Sequence, residues 1–325
     1  MRQQKRWNSS EAYLLKFAAA ATFLLGLLGS LPIPAAAQQH GQKTFSSPEE
    51  ASQALFAAAK NNDGKAMLEL LGSEGKDIIS SGDEAEDSAS RANFAKRYVE
   101  MNRLVKEPDG TVTLYIGPWN WPYPIPLVTK SNRWYFDTSA GKQEILFRRI
   151  GRNEMSALRV CEELVAAQKE YYSQHQNEYA QKIASDEGKQ NGLYWKAADG
   201  GPQSPIGPLV AQAAATDHAE PYHGYYFGIL TKQGKDSAGG AKDYIVDGKM
   251  TGGFAFVAYP ASYRSSGVMT FLVGADGAIY ERDLGKKTET TCKSMKEFNA
   301  ASGWRRMEDK TENQNQQSAG AQSPK

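Results

Sequence analysis

The chain lacks the sequence patterns by which many enzymes are recognised. It has no Gly-x-Ser-x-Gly nucleophile elbow, no phosphate-binding loop, no Gly-x-Gly-x-x-Gly after a strand and no zinc-binding helix motif. Its formal net charge is +1, so neither sign of charge dominates and nucleic acid is not an expected partner. These absences lower the expectation of an enzyme, and they point to no cofactor and no metal.

Cysteine is scarce as well, since the chain has two, Cys161 and Cys292. In an oxidising compartment they could form one disulfide, whose long loop would stabilise the fold by about 4 to 5 kcal/mol in the chain-entropy model. They could equally remain separate thiols, with Cys161 simply part of an apolar helix stripe. The spacing does not decide between the two, because it does not test the bond geometry.

Residues 1–37 have the pattern of an export signal. Three basic residues among the first six give a positive start, an apolar run covers residues 17–31, and Ala35-Ala36-Ala37 offers small residues for cleavage. The apolar run is shorter than the ~20 residues that span a bilayer. We therefore expect cleavage near residue 37 and a periplasmic or secreted protein with no stable membrane span after signal removal. Retention of the run as an anchor is the alternative.

Length and composition predict about two folded domains after the signal. The chain has 325 residues, of which 40% are hydrophobic, so it can bury a sizeable core. The sequence after residue 304 is polar and lacks the apolar content to fold. The predicted organisation is a signal peptide at 1–37, a linker at 38–46, an N-terminal α+β domain at 47–140, a second domain of helix and antiparallel sheet at 141–304 and a disordered tail at 305–325.

In the N-terminal domain, helical patterns come first and strand patterns follow. Ser47-Pro48-Glu49-Glu50 is a helix start, with serine as N-cap and glutamate three residues later. Residues 76–90 are polar and acidic, and we interpret them as a loop with one turn at most. Helices are predicted at 47–62, 65–71 and 91–105, and strands at 111–116, 125–130 and 133–137. Helices followed by such a meander resemble the nuclear transport factor fold.

The second domain is organised around one long helix, predicted at 153–182. Its apolar residues recur at alternating steps of three and four, which places them along one stripe that we expect to pack on a sheet. Residues 141–150 fit a strand or, slightly better, a helix. Gly274-Ala275-Asp276-Gly277 predicts a hairpin turn. A short helix is predicted at 208–215 and strands at 224–231, 253–259, 268–273 and 278–282.

The second domain resembles the bacterial pilin and pseudopilin pattern. The resemblance lies in a long helix with Asn153-Glu154 and Ala167-Gln168, followed by a sheet containing Gly253-Phe254 and Thr270-Phe271. In those proteins a helix packs on an antiparallel sheet. The pilin helix continues an apolar N-terminal segment that holds subunits in a filament, whereas here a whole domain precedes the helix. The resemblance therefore implies a fold and leaves assembly aside.

The mature chain is identified as a member of a bacterial family of exported proteins, domain-of-unknown-function family 2950. Four segments carry the resemblance, at residues 119–128, 134–137, 148–154 and 280–285. They are distributed between residues 119 and 285 of the chain. The family implies an exported protein of this fold and brings no activity, cofactor or catalytic residues.

Two groups of residues are candidates for ligand binding. The aromatic residues Trp119, Trp121, Tyr123 and Trp134 could form a stacking platform for a sugar ring or a protein, or could seal the core of a small domain. The second group contains charged and titratable residues. It consists of Arg149, Arg152, Glu154 and His223.

The second group also has two interpretations. Arg149 and Arg152 could clamp an anion, or could pair with acids and carbonyls. His218 and His223 share a loop, but their spacing matches no zinc pattern. Glu154 could act as an acid or base if it lay close to His223 and Arg152.

The leading functional hypothesis is a non-enzymatic exported module that binds an envelope protein or a cell-wall component. The alternative is a periplasmic hydrolase or ligand-modifying enzyme with a cleft between the two domains. That alternative requires His223, Glu154 and Arg152 to converge within hydrogen-bond reach. A filament component is a third hypothesis, and it requires residues 17–31 in the mature protein.

Overall fold

The computed structural model describes residues 39, 41–80, 82, 84–197, 201, 203–214, 220–301 and 303–307. The predicted signal peptide, most of the predicted tail, and His218 lie outside the described residues. Two compact units divide between Ile145 and Leu146. The sequence-based boundary at 140 and 141 lies five residues earlier.

In the described part of the first unit, helices precede an antiparallel sheet. The helices are α1 (Pro48–Lys60), α2 (Gly64–Leu71), α3 (Lys76–Ile79) and α4 (Glu84–Glu100), with a 3-10 turn at Ser73–Gly75, and the strands are β1 (Asn102–Lys106), β2 (Val112–Ile116), β3 (Trp121–Pro122), β4 (Leu127–Lys130) and β5 (Arg133–Phe136). The strand order in the sheet is β1-β2-β4-β5, and β3 pairs with β2.

The start of α1 follows the predicted capping chemistry. The Ser47 hydroxyl accepts a hydrogen bond from the Glu50 backbone N–H at 3.1 Å. The Glu50 carboxylate accepts in turn from the backbone N–H of Ser46 at 2.9 Å. Both bonds satisfy N–H groups that have no partner within the helix, so the predicted start is confirmed.

The core of the first unit lies between the helices and one face of the sheet. Strand β2 alternates buried and half-buried residues along its length, as expected for a sheet with one covered face. A buried glutamine, Gln42, ties the layers together because its Nε2 donates to Leu70 O at 3.0 Å and to Phe136 O at 2.8 Å. Fully buried apolar residues of this core include Phe45, Leu55, Leu70, Leu71, Leu114, Leu127 and Phe136.

Two predictions for the first unit were wrong. Residues 76–90 are not a loop, because α3 and the first two turns of α4 lie there. The predicted helix at 91–105 ends at Glu100, and the residues after it form β1. The tertiary partner decides this end: the Gly117 N–H donates to Arg97 O and Met101 O, and Leu104 then pairs with Leu114 on β2.

The second unit contains a five-stranded antiparallel sheet and two smaller sheets. The helices are α5 (Thr138–Gln174), which begins before the division between the units, α6 (Pro208–Gln212) and α7 (Thr288–Ser294), with a 3-10 turn at Gly285–Lys287. The strands are β6 (Tyr225–Leu230), β7 (Lys232–Gln233), β8 (Lys242–Asp243), β9 (Ile245–Val246), β10 (Lys249–Met250), β11 (Ala255–Pro260), β12 (Met269–Gly274), β13 (Ile279–Asp283), β14 (Glu297–Phe298) and β15 (Arg305–Arg306). The five-stranded sheet has the order β15-β13-β12-β11-β6, and the smaller sheets have the orders β14-β7-β8 and β10-β9.

The sheet of the second unit is covered on both faces. All six residues of β11 are buried. Cys161 on α5 interacts with Tyr225, whose ring contacts Phe271 on one face, while Cys292 on α7 lies beside Thr270. Because Thr270 and Phe271 are neighbours on one strand, they point to opposite faces, so α5 and α7 cover opposite sides.

The two cysteines are free, buried thiols. Their positions on opposite faces of the sheet explain why no disulfide joins them. Of the two alternatives that the sequence left open, the structure has the separate thiols. Burial raises the pKa of each thiol to about 12.

Helix α5 differs from its prediction at both ends. It begins at Thr138, so residues 141–150 are helical, as the sequence slightly favoured. It ends at Gln174 and not at 182, since Gln176 and Asn177 adopt positive φ values of 53° and 65°. The chain then returns along the helix.

A buried side chain fixes this return. Gln168 donates from Nε2 to Ala180 O at 2.8 Å and accepts from Ala180 N–H at 2.9 Å. Both bonds to one residue anchor the segment after α5 against the helix, because both groups are buried and would otherwise lack partners.

The predicted fold class and the long strands predicted for the second domain are confirmed. The structure is α+β, and each of the four long strands predicted for the second domain is present within two residues of its predicted start. The hairpin between β12 and β13 closes through Gly277 N–H donating to Gly274 O at 2.9 Å, with Gly277 at φ +80°. The finer likenesses to the nuclear transport factor fold and the pilin fold stay predictions. Within the described residues, no helix combines the length and the apolar character that crossing a bilayer requires.

Candidate functional site

Among the described residues of the first unit, the most exposed aromatic residue is Trp119, which lies in the turn between β2 and β3. The turn closes through the Asn120 N–H, which donates to Gly117 O at 3.0 Å. Gly117 and Asn120 have positive φ values of 71° and 50°, which glycine and asparagine tolerate. The Gly117 N–H also donates to the carbonyls of Arg97 and Met101 at the end of α4. The backbone that carries Trp119 is therefore held at both ends.

The indole of Trp119 is 63% exposed although its backbone is fixed. A cation lies beside the same turn, since Arg103 Nη2 donates to Asn120 Oδ1 at 3.1 Å. The Arg103 guanidinium lies 5.2 Å from the ring centre of Tyr115, a cation–π contact that orients it further. Trp119, Asn120, Arg103 and Tyr115 together form what we call the Trp119 turn site.

Trp121 and Tyr123 lie inside the first unit and do not extend this site. Trp121 is half-buried, with its ring centre 6.5 Å from that of Tyr123. Tyr123 makes edge contacts with Phe94 at 5.4 Å and Phe136 at 6.3 Å. Burial raises the pKa of the Tyr123 hydroxyl above its ordinary value. Trp121 and Tyr123 therefore help to seal the core of the first unit, whereas Trp119 is exposed to solvent.

Glu154, in the second unit, holds a loop in place. Its Oε1 accepts hydrogen bonds from the backbone N–H groups of Val268 and Met269 at 2.9 and 3.0 Å. Asn153 beside it donates to Ser266 O at 2.8 Å. Burial raises the pKa of the Glu154 carboxyl, and the two backbone N–H donors oppose that rise. The pair Asn153 and Glu154 thus ties α5 to residues 261–268, which lead into β12.

His223 lies beside that loop. It has a positive φ of 48°, and its ring centre is 4.3 Å from that of Tyr222. The next residue, Gly224, must be small, because a Cβ there would lie 2.7 Å from Ser266 Cβ and 2.8 Å from Asn153 Nδ2.

The charged residues of the second candidate group have different surroundings in the structure. Arg149 and Arg152 are exposed on α5. Among the described residues, no hydrogen bond joins His223, Glu154 and Arg152, and the carboxylate of Glu154 is occupied by backbone donors. Nor does the described part of the chain contain a group of three histidine, cysteine, aspartate or glutamate side chains that could hold a metal ion.

Sequence reasoning missed the residues that support Trp119. Arg103 lay in a predicted helix, so its position on a strand beside the turn was not expected, and Asn120 was not a candidate site residue. The order Gly117, Pro118, Trp119, Asn120 is a turn signal, since glycine and asparagine tolerate positive φ. That signal predicts an exposed Trp119, whereas the partner Arg103 follows only from the pairing of β1 with β2.

The fold and the site define an α+β protein of two units, with one exposed aromatic turn in the first. The chain belongs to the family described as Protein of unknown function (DUF2950), whose model matches residues 42–307. That range includes both units and confirms the family resemblance. Searches of the curated proteins and of the solved structures found no match for the chain.

Proposed function

We propose that this chain is an exported envelope protein that binds a partner without catalysing a reaction. The Trp119 turn site is the proposed contact, and the partner is an envelope protein or a cell-wall glycan. Export is proposed from residues 1–37, which have the composition of a cleavable signal. The mature protein would then work in the periplasm or outside the cell.

The observation that carries the proposal is a 63% exposed indole on a turn with a fixed backbone. A large apolar ring in water has a cost that burial in a partner would recover, at about 25 cal/mol per Å² of apolar surface. A rigid turn adds to this, because little conformational entropy remains to be lost on binding. Tryptophan and arginine together are also the side chains most enriched where binding energy concentrates.

The side chains of the Trp119 turn site suit both a glycan and a protein as partner. The face of an indole stacks on the apolar C–H face of a sugar ring, while the Arg103 guanidinium can donate to hydroxyl or carboxylate oxygens. The same pair can enter a pocket on a protein. The proposed role of this arrangement is adhesion.

The test compares two single variants of the mature protein, Trp119→Ala and Phe147→Ala. Phe147 is the matched control because its side chain is also 63% exposed and lies in the second unit. Wild type and both variants are mixed with purified cell-wall sacculi and, separately, with solubilised envelope proteins under cross-linking. We expect Trp119→Ala to weaken retention in one of the two arms by about tenfold or more, since a hot-spot truncation costs about 2 kcal/mol or more.

The two arms identify the partner class. Loss of retention on sacculi indicates a glycan, and loss of one cross-linked product indicates a protein. Retention of Trp119→Ala equal to that of wild type in both arms would contradict the proposal. Export is tested separately by N-terminal sequencing of the protein recovered from the envelope fraction, where a first residue at or near Gln38 is expected.

A further inference from the structure

The second unit contains a cavity of about 520 Å³ beside β12 and β13. The volume falls within the range of pockets that hold small molecules. The lining comes from β12, β13, the turn after β7 and the segment after α7. The side chains that matter for recognition are Asp236, Leu272, Arg282, Glu297, Asn299 and Trp304.

Charges of both signs line this cavity without neutralising one another. The side chains of Arg282 and Glu297 are exposed, and neither forms a hydrogen bond or an ion pair with another described residue. Asp236 accepts one hydrogen bond, from Asn299 Nδ2 at 3.1 Å, and forms no ion pair there. Opposite charges that share a cavity without meeting leave space for a ligand that carries both.

The positions of the charged groups are constrained by the backbone around them. Gly303 has φ +87°, and a Cβ at that position would lie 2.9 Å from Arg282 Cζ. Glycine therefore lets the guanidinium lie against the chain. On the other side, Gly234 packs against Asn299, whose Cγ would be 2.6 Å from a Cβ there. This contact holds the amide that orients Asp236.

The cavity also has an apolar wall. Leu272 is 1% exposed, and it belongs to the main core of the unit. Trp304 is partly buried and packs against the same core. An apolar wall with a few convergent polar groups is the usual composition of a small-molecule site.

We propose that this cavity binds a small zwitterion of the amino-acid type, either a free amino acid or a short peptide with an apolar side chain. The ligand carboxylate meets Arg282, whose guanidinium suits carboxylates. The ligand ammonium lies between Asp236 and Glu297, and the apolar side chain contacts Leu272 and Trp304. This inference does not rest on the proposed adhesion through Trp119, and either can fail without the other.

The experiment measures binding to the mature protein by isothermal titration calorimetry. The probes are L-phenylalanine, the dipeptide L-leucyl-L-phenylalanine, and the dipeptide with an acetylated N-terminus or an amidated C-terminus. We expect one of the two zwitterions to bind, and blocking either end to weaken it about tenfold or more, because hydrogen bonds to charged groups contribute about 1.5–3 kcal/mol. Comparison of the amino acid with the dipeptide identifies the source of the ligand.

Two variants assign each end of the ligand to a side chain. Arg282→Gln is expected to weaken the free carboxylate probe about tenfold and to leave the amidated probe unchanged. Glu297→Gln is expected to weaken the free ammonium probe and to leave the acetylated probe unchanged. Both side chains are exposed, so the variants should fold, and circular dichroism checks that they do.

Three results would overturn the proposal. They are no binding of either zwitterion at millimolar concentration, equal binding of the free and blocked dipeptides, and binding that Arg282→Gln does not change. In each case the charged groups of the cavity are only solvated surface groups.

Discussion

The two units bury their sheets in different ways. In the first unit, β2 alternates buried and half-buried residues, so one face of the sheet is covered more fully than the other. In the second unit, β11 is buried at every residue, because α5 and α7 cover opposite faces. The comparison teaches that tolerance to substitution depends on how many faces of a strand are covered.

Truncating buried side chains should lower the free energy of unfolding more than any other change proposed here. It also tests whether β11 is covered on both faces and β2 mainly on one. Along β11, Phe256→Ala should lower the free energy of unfolding by about 3–5 kcal/mol and its neighbour Val257→Ala by about 1.5–3 kcal/mol, since both are buried. Along β2, Leu114→Ala should cost about 2–5 kcal/mol, whereas its neighbour Thr113→Ala should cost less than about 1 kcal/mol. Denaturant titration measures all four. Equal costs for Val257→Ala and Thr113→Ala would refute the comparison.

Both units also use one buried glutamine to hold backbone groups, and truncating each should have an intermediate effect. Gln42→Ala leaves the carbonyls of Leu70 and Phe136 without that donor, and Gln168→Ala removes both partners of Ala180. Each variant should lose about 1–3 kcal/mol, the usual cost of unpaired buried polar groups. Gln143→Ala is the exposed control and should change stability by less than about 0.5 kcal/mol. A loss as small as the control would mean that water replaces the glutamine.

The pH dependence of stability should have opposite signs in the two units. Burial raises the pKa of Glu154 above its unfolded value, so its favourable contribution is present at low pH and is lost as pH rises through the folded pKa. Hydrogen bonds from Ser46 lower the pKa of Glu50, so its contribution is present near neutral pH and is lost as pH falls through the folded pKa.

Glutamine variants isolate the two contributions. As pH falls from about 7 to about 3, wild type should gain stability relative to Glu154→Gln and lose stability relative to Glu50→Gln. Denaturant midpoints across this range measure both differences. Slopes of the same sign would show that one of the two carboxyl environments is described incorrectly.

In the folded protein, neither cysteine should react with a thiol reagent. Both cysteines lie in the second unit, and burial raises each thiol pKa to about 12, so the reactive thiolate is scarce and inaccessible. A thiol reagent near pH 8 should label neither in the native state and both after unfolding without reductant. Failure to label the unfolded protein would indicate a disulfide. Because the first unit has no cysteine, the labelling rate reports the opening of the second unit alone.

Much of the fold could be predicted from the sequence where the signal is local. The cap at Ser47 and the hairpin at Gly274 to Gly277 follow from turn and cap chemistry, which the chain carries within four residues. The four long strands of the second domain were found because β-branched and aromatic runs end at turn residues. The part of α4 between Glu84 and Ser90 was not predicted, because its residues are polar and acidic and show no apolar stripe that would indicate a helix.

The candidate site was predictable in part. Trp119 was singled out from sequence, but the same reasoning grouped it with Trp121 and Tyr123, which the structure separates by burial. Glu154 was predicted as a candidate acid or base, and the structure gives it two backbone donors and a positioning role. Arg282 and Glu297 were not candidate site residues, because β13 and the segment after α7 meet only in the folded chain.

The sequence by itself determined the class of fold, the family, and the starts of α1 and of the four long strands of the second unit to within two residues, because caps, turns and periodicity depend on neighbours a few residues apart. Tertiary structure alone decided where α4 and α5 end, that Cys161 and Cys292 stay apart, and that Arg103 lies beside the Trp119 turn. Each of these depends on a contact between segments far apart in the chain, such as Gly117 with Arg97 or Gln168 with Ala180. Such contacts leave no local pattern, because the free energy that fixes them comes from partners that only folding brings together.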